Sequence, residues 1–146
     1  MQILSKSFDE LSPTELYAIL KVRSEVFVVE QTCIYLDPDG KDEVSLHVYL
    51  EEDGEIIAYM RVLPPGVWYE ELALGRVLTT RRGEGLGEKL VHAGIQAGFD
   101  AFGKGPIRID AQTYTKGFYE KFGFIQVSDE YDEDGIPHIQ MLLEVK

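Results

Sequence analysis

The stretch Val77–Val91 constrains the fold more than any other part of the chain. An apolar segment there runs into a glycine-rich turn and then into a helical pattern, with Gly83, Gly85 and Gly87 at alternate positions. Glycines let a ligand approach the main-chain amides closely, and the first turn of a helix offers unpaired N–H donors at the positive end of its dipole. This pattern predicts a strand–turn–helix unit that binds an anion, which we interpret as a pyrophosphate group.

Two other nucleotide-binding patterns fail at single residues. A dinucleotide fingerprint, Gly-x-Gly-x-x-Gly, needs a third glycine where this chain has Glu88 in one register and Leu90 in the other. That mismatch disfavours a nicotinamide-dependent oxidoreductase. A phosphate-binding loop matches Gly98–Lys104 until Gly105 takes the place of the required Ser or Thr, and this stretch ends a predicted helix instead of opening one.

Length and charge narrow the class of protein further. With 146 residues, 45% of them hydrophobic, the chain is expected to form a single domain, residues 1–146, with its own core. A net charge of −12 disfavours nucleic acids and anionic membrane surfaces as partners. No apolar run approaches the roughly 20 residues that span a bilayer. The acidic composition instead suits a cationic amine as a ligand.

Cysteine and histidine usage indicates a cytoplasmic protein without a metal centre. The single cysteine, Cys33, forms no internal disulfide and is expected to be a small core residue. Residues 1–7 have too little apolar length for a signal peptide. The three histidines, His47, His92 and His138, lie far apart in the sequence and show no metal-ligand spacing.

Apolar periodicity predicts strands alternating with helices. A helix is expected from Ser12-Pro13, with Ser12 as its cap, and a break is expected near Val26–Val29 because β-branched residues crowd a helix. Further helices follow the glycine turn, up to about Gly103, and surround Tyr119. The predicted strands cover residues 2–8, 45–51, 55–63, 72–79, 106–111 and 136–145, with a closing hairpin around Asp134-Gly135. This order indicates an α/β (α+β) fold built on one mixed sheet.

Two motifs carry a family resemblance. Arg82-x-x-Gly85-x-Gly87 resembles the acetyl-CoA-binding motif of the GNAT N-acetyltransferase superfamily, and Phe118–Phe124 resembles its second signature, Phe-Tyr-x-x-x-Gly-Phe. Further stretches resemble the ElaA-like subfamily, so that the resemblance covers nearly the entire chain. These stretches are Val26–Gln31 with Cys33 and Tyr35, His47, Gly75-Arg76-Val77 and Gly135–Ile139.

The resemblance implies a fold, a reaction and a cosubstrate. The fold is the GNAT acyl-CoA N-acyltransferase fold, one mixed, mostly antiparallel sheet flanked by helices, with acetyl-CoA between the strand before the glycine turn and the strand before the Phe-Tyr helix. The implied reaction moves an acetyl group directly from acetyl-CoA to a primary amine of a small molecule or peptide. A non-catalytic acyl-CoA sensor or interaction module is the alternative, and the resemblance also allows a homodimer.

The same resemblance assigns the cofactor-binding residues. Main-chain groups of the strand are expected to pair with the pantetheine arm, and amides of the glycine turn are expected to bind pyrophosphate. Gln112 stands where many relatives carry an Asn that contacts the pantetheine. The full set is Val77, Leu78, Thr79, Arg82, Gly83, Glu84, Gly85, Leu86, Gly87, Gln112 and Phe118.

Catalytic and substrate-side residues are fewer. By family analogy Tyr119 is the acid that protonates the departing thiolate, since a phenol stays protonated at neutral pH. Glu30, on the face of the first helix, and His138, on the last strand, are the two candidates for the base that removes the amine proton. Arg23 and His47 are assigned to substrate binding, with a buried polar pair as the alternative.

Overall fold

The computed structural model describes residues 1–145 and contains one eight-stranded sheet. The strands are β1 (Gln2–Ser7), β2 (Leu46–Glu52), β3 (Glu55–Leu63), β4 (Leu72–Thr79), β5 (Ile107–Gln112), β6 (Ile125–Gln126), β7 (Tyr131–Glu133) and β8 (Ile136–Leu143). Their order is β1-β2-β3-β4-β5-β8-β6, and β7 pairs with β8. Within the described residues only β4 and β5 are parallel, so the predicted mixed, mostly antiparallel sheet is confirmed.

Three helices flank this sheet: α1 (Pro13–Arg23), α2 (Leu86–Phe102) and α3 (Lys116–Glu120). The start of α1 is a capping box, in which the Glu15 amide donates to Ser12 Oγ and the Ser12 amide donates to Glu15 Oε1. After Arg23 the chain continues as a π-helical segment, Ser24–Glu30, which contains the predicted break. No helix in residues 1–145 combines the length and apolarity that a membrane span requires.

Helix α2 packs closely on the sheet because glycines face it. A Cβ added to Gly94 would lie 2.0 Å from the sulfur of Met60, and one added to Gly98 would lie 3.0 Å from Leu72 Cδ1. The predicted face is therefore correct at Leu86, Leu90 and Gly94, but Gly98 continues it where Ala101, which is exposed, was expected. The contacts at Gly94 and Gly98 fix the position of α2 relative to β3 and β4.

A bulge in β4 separates that strand from β5. Arg61 of β3 pairs with Gly75, whereas Tyr59 pairs with Leu78, so β4 carries an extra residue here, and Arg76 has a left-handed φ of 52°. The parallel pairing of β4 with β5 ends at Leu74 and Ile109. Beyond this point the two strands are not paired, and a wedge opens between them at their carboxyl ends.

Candidate active site

The wedge between β4 and β5 opens into a cleft of about 530 Å³. Two parts of its wall differ in construction. We call the first the glycine half; it comprises the end of β4 (residues 77–79) and the turn that follows, residues 80–87. We call the second the hairpin half, because it surrounds the β7–β8 hairpin; its side chains in the cleft wall are Trp68, Tyr69, Asp110, Glu133 and His138.

The turn of the glycine half exposes bare main chain. Gly83 and Gly85 have φ values of 77° and 70°, and no atom lies within 4 Å of the position that a Cβ would occupy on either residue. Gly85 precedes the first residue of α2, and its carbonyl accepts the amide of Lys89 at 3.3 Å. The earlier amides of the first helical turn have no intrahelical acceptor, so they point outward as donors for an anion.

Other assigned cofactor residues have different surroundings. The cleft wall includes Arg82 but not residues 83–87, of which Gly83, Glu84 and Gly85 are exposed and Leu86 is buried in the core. A Cβ on Gly87 would lie 3.3 Å from Phe118 Cζ, so close packing of α2 on α3 requires glycine there. Phe118 packs against Gly87 and does not line the cleft, and its role as a cofactor contact stays a prediction.

Tyr119 of α3 is buried and borders the cleft. Its ring makes edge-to-face contacts with Phe118 and Phe124, which fix its orientation. Its hydroxyl makes no hydrogen bond to any side chain or main-chain group in residues 1–145. Burial, with a smaller contribution from Tyr114, raises the pKa of Tyr119 above its ordinary value of 10. The phenol therefore remains protonated at neutral pH.

The end of the π-helical segment contacts both sides of the cleft. Glu30 reaches the glycine turn, and Gln31, the next residue, reaches the end of β5. Glu30 at its end lies 3.5 Å from the Arg82 guanidinium, and both side chains are largely exposed. Gln31 accepts a hydrogen bond from Gln112 Nε2 at 3.4 Å. Both Glu30 and Gln112 line the cleft, as does the end of β4 at Val77, Leu78 and Thr79.

Arg23 does not reach the cleft and belongs to a buried ion network. It is fully buried, with Nε 2.9 Å from Asp37 Oδ2 and Nη1 2.7 Å from Asp42 Oδ1. Arg61 joins through Asp42 and through two contacts with Asp39, at 2.7 and 2.8 Å. The network ties the loop of residues 31–45 to α1 and β3. Arg23 therefore lies in the buried network behind this wall and does not line the cleft.

His47 is part of the same interior. It is fully buried, with Nδ1 2.7 Å from the Tyr59 hydroxyl and Nε2 2.9 Å from the Asp42 carbonyl oxygen. A carbonyl oxygen only accepts, so Nε2 carries the proton and Nδ1 accepts from Tyr59. Burial lowers the pKa of His47, which favours this neutral form. Both ring nitrogens of His47 are therefore used internally, and His47 does not line the cleft.

Aromatic donors converge on Asp110 in the hairpin half. Trp68 Nε1 donates to Asp110 Oδ2 at 3.0 Å, the Tyr69 hydroxyl donates at 2.7 Å, and the Tyr131 hydroxyl donates to Oδ1. The Tyr131 ring stacks on the ring of His138, 6.0 Å away between centroids. Asp110 thereby fixes the loop before β4, strand β5 and the hairpin relative to one another.

His138 uses both ring nitrogens within the hairpin. Nδ1 lies 2.8 Å from the carbonyl oxygen of Ile136, and Nε2 lies 3.3 Å from Oε2 of Glu133. The His138 side chain is 10% exposed, whereas that of Glu133 is 44% exposed. Glu133 is therefore the more exposed member of this pair, and both residues line the cleft.

The sequence predictions missed Asp110, Tyr131 and Glu133. Asp110 carries a weak signal, because it lies on the polar face of an otherwise apolar strand. Glu133 has no distinguishing signal, since it belongs to the acidic run 129–134, which is typical of a solvated surface. Among residues 1–145 no three His, Cys, Asp or Glu side chains form a group suited to a metal ion.

Comparison with known proteins identifies the family. Residues 21–145 match the model described as an acetyltransferase (GNAT) domain. A UPF0039 protein from Synechocystis is 42% identical over 141 residues, covering 94% of this chain and 92% of the relative. Protein ElaA from Escherichia coli is 40% identical over 140 residues, covering 93% of this chain and 92% of the relative.

Solved structures agree with this match. An acyl-CoA N-acyltransferase from Pseudomonas aeruginosa has a TM-score of 0.93 at 36% identity, and the crystal structure of Escherichia coli ElaA has a TM-score of 0.92 at 37% identity. Each comparison covers 98% of this chain and 99% of the other. The chain belongs to the GNAT acetyltransferase family, and acyl transfer from coenzyme A is its class of reaction. Its resemblance to ElaA-like proteins is confirmed.

Proposed function

We propose that this protein is an N-acetyltransferase that moves the acetyl group of acetyl-CoA to a primary amine of a small molecule or peptide. One observation carries the proposal: the end of β4, which pairs with β3 but not with β5, leads through the glycine turn into the exposed amides at the start of α2. This arrangement offers strand-like main-chain partners for an extended arm, followed at once by donors for phosphates. Tyr119 borders the same cleft with a protonated hydroxyl.

The residues present suit coenzyme A. Main-chain groups of Val77, Leu78 and Thr79 would hold the pantetheine arm, and the amides of residues 82–87 would hold the pyrophosphate. The open space beside Gly83 and Gly85 is the room that phosphate oxygens need to approach those amides. Arg82 adds a positive charge at the same end, and Gln112 contributes its side-chain amide to the cleft. When bound, acetyl-CoA supplies an acetyl group activated as a thioester.

Tyr119 acts as the acid in this proposal. Its Oη holds a proton at neutral pH, and packing against Phe118 and Phe124 holds that oxygen at the cleft. Donation of this proton to the departing sulfur would prevent a free thiolate from accumulating. The main-chain N–H groups at the end of β4 would polarise the carbonyl group that is attacked.

The two sequence-predicted bases lie in different parts of the cleft. Glu30 belongs to the end occupied by Arg82, with a side chain that is 59% exposed. His138 belongs to the hairpin half, away from the glycine turn, where an amine acceptor would enter. This separation supports removal of the amine proton in the hairpin half.

Release of free thiol from acetyl-CoA tests the function. The purified protein is incubated with acetyl-CoA and a panel of aminosugars, polyamines, amino acids and peptides with free N-termini. We expect one class of amine to release thiol with saturation and to yield an acetylated product by mass spectrometry. Propionyl-CoA, run in parallel, tests the preference for acetyl. Saturable binding of acetyl-CoA without turnover on any amine would instead favour the sensor.

A further inference from the structure

Glu133 lies in the cleft, where the proposed transfer to an amine needs a base. It ends β7, immediately before the Asp134-Gly135 turn, and its half-exposed side chain borders the cleft. Its carboxylate has no guanidinium or ammonium group within salt-bridge distance in residues 1–145. The closest polar partner is Nε2 of His138, 3.3 Å from Oε2.

The hydrogen-bond directions at His138 define the state of this pair. The Ile136 carbonyl oxygen accepts only, so Nδ1 of His138 carries its proton. Nε2 of the neutral ring is then an acceptor, and so is the Glu133 carboxylate that faces it. Two acceptors at this distance repel each other unless a proton lies between them. The pair therefore gains a favourable hydrogen bond only after it takes up one proton.

We propose that Glu133 removes the proton from the incoming amine and that His138, behind it, is a positioning residue that stores this proton. The inference rests on the proposed acyl transfer to an amine. Glu133 is the outer member of the pair, and His138 has no ring nitrogen left for a substrate. The base is therefore Glu133 and not His138, whose part is to hold the Glu133 side chain in place and to receive the proton from it.

The proton balance is simple. An N–H bond of the substrate ammonium breaks, its electron pair stays on nitrogen as the nucleophilic lone pair, and an O–H bond forms on the Glu133 carboxyl group. The proton then passes to Nε2 of His138, which leaves an imidazolium facing a carboxylate. Solvent removes the proton through the exposed face of Glu133 after the transfer is complete.

The surroundings of Glu133 strengthen its basicity. Burial raises the pKa of the carboxyl group; the nearby His138 and Arg76 oppose this shift, while Asp110 and Asp134 add to it. Arg76 is itself held by Asp37, with Nε 3.0 Å from Oδ1. Asp110 receives its hydrogen bonds from Trp68, Tyr69 and Tyr131, all of them neutral donors.

The kinetic test compares two glutamates of one segment. Glu133→Gln keeps the shape and removes the base, whereas Glu130→Gln makes the same charge change at an exposed position directly before β7, three residues from Glu133 and outside the cleft wall. With an amine that the wild type acetylates, we expect Glu133→Gln to lower kcat about 100-fold at pH 7, the usual contribution of a general base. The KM for acetyl-CoA is expected to stay unchanged, and Glu130→Gln is expected to match the wild type.

The pH profile and chemical rescue separate a proton role from a structural one. The deficit of Glu133→Gln is expected to shrink as the pH rises, because the amine then loses its proton to water without a base. Formate is expected to restore part of the activity of Glu133→Ala by replacing the missing carboxylate. A Glu133→Gln enzyme with wild-type kcat and pH profile would overturn the assignment and leave acyl transfer standing, as would a loss found only in Glu30→Gln. A wild type that acetylates no amine in the panel would remove the proposed function and this inference with it.

Discussion

The glycine half and the hairpin half border the same cleft but are built on opposite principles. The glycine half consists of neighbouring residues, 77–87, whose main chain would bind the ligand and whose small or buried side chains leave room for it. The hairpin half consists of side chains from residues 68 to 138, held together by contacts at Asp110 and His138. A contiguous main-chain site leaves a motif in the sequence, and a site assembled from distant side chains does not.

This difference also explains what each half does in the proposed function. Coenzyme A is common to every member of an acyl-CoA-dependent family, so a main-chain site that ignores most side chains suits it. The acceptor would meet side chains, which change readily between relatives. The side chains of the hairpin half are therefore expected to determine which amine is accepted.

The largest expected change in the free energy of unfolding comes from removing a buried ion pair behind the cleft wall. Arg23→Ala leaves the carboxylates of Asp37 and Asp42 without their buried partner, and the loss is expected to lower the free energy of unfolding by about 3–5 kcal/mol. Arg81→Ala, at the glycine half, removes a contact to Glu52 in which both side chains are about 40% exposed, and is expected to cost about 0–1 kcal/mol. Urea unfolding of both variants measures the difference, and equal costs would contradict the contrast between the buried network behind the wall and the exposed contact of the glycine half.

Removing the Tyr119 hydroxyl tests the chemistry at the border between the halves. Tyr119→Phe is expected to lower kcat about 100-fold, because the leaving sulfur loses its proton donor, while the ring keeps its packing. Affinity for acetyl-CoA is expected to remain within about twofold of wild type, since the donor acts on the reacting sulfur and not on the phosphates. Tyr17→Phe, at an exposed position outside the cleft, is the control. Unchanged turnover in Tyr119→Phe would exclude the acid role.

The glycines of the glycine half are expected to serve different purposes, and that of Gly87 is close packing against Phe118. Gly87→Ala places a Cβ 3.3 Å from Phe118, and this overpacking is expected to lower the free energy of unfolding by about 1–2 kcal/mol. Gly117→Ala, where a Cβ meets nothing within 4 Å, is expected to be neutral or slightly stabilising. Thermal unfolding compares the two variants. Equal stability would mean that α3 shifts to accept the added methyl group.

Acid is expected to weaken the buried ion network of Arg23 and Arg61 modestly. Burial acts to raise the pKa of Asp39 and of Asp42, but the guanidinium groups of Arg61 and Arg23 outweigh it, and both pKa values fall below the ordinary 3.8. Groups with lowered pKa values stabilise the fold fully above pH 3.8 and lose this contribution as the pH falls further. We expect a loss of about 1 kcal/mol between pH 4 and pH 3, measured by urea unfolding. The loss is expected to be smaller in Arg23→Ala, and an identical loss there would assign it to other carboxylates.

Local patterns were sufficient to predict most of the fold. Alternation gave the β2–β3 hairpin and β8, Ser12 and Glu15 gave the start of α1, and the glycine turn gave the start of α2. The two-residue strand β6 lay below the length at which alternation is visible. For Arg23 and His47 the sequence left substrate binding and a buried polar pair open, because a polar residue among apolar ones looks the same in sequence whether it faces a ligand or a buried partner. Only the folded loop of residues 31–45 brings Asp37 and Asp42 to Arg23.

Binding of coenzyme A to two glycine variants, measured by isothermal titration calorimetry, tests the central claim most directly. Gly85→Val fills the open space beside the exposed amides and is expected to abolish measurable binding. Gly103→Val places the same side chain at another left-handed glycine with open surroundings, at the far end of α2, and so controls for backbone strain. We expect Gly103→Val to bind as the wild type does. Wild-type affinity in a folded Gly85→Val would contradict a main-chain site for the pyrophosphate.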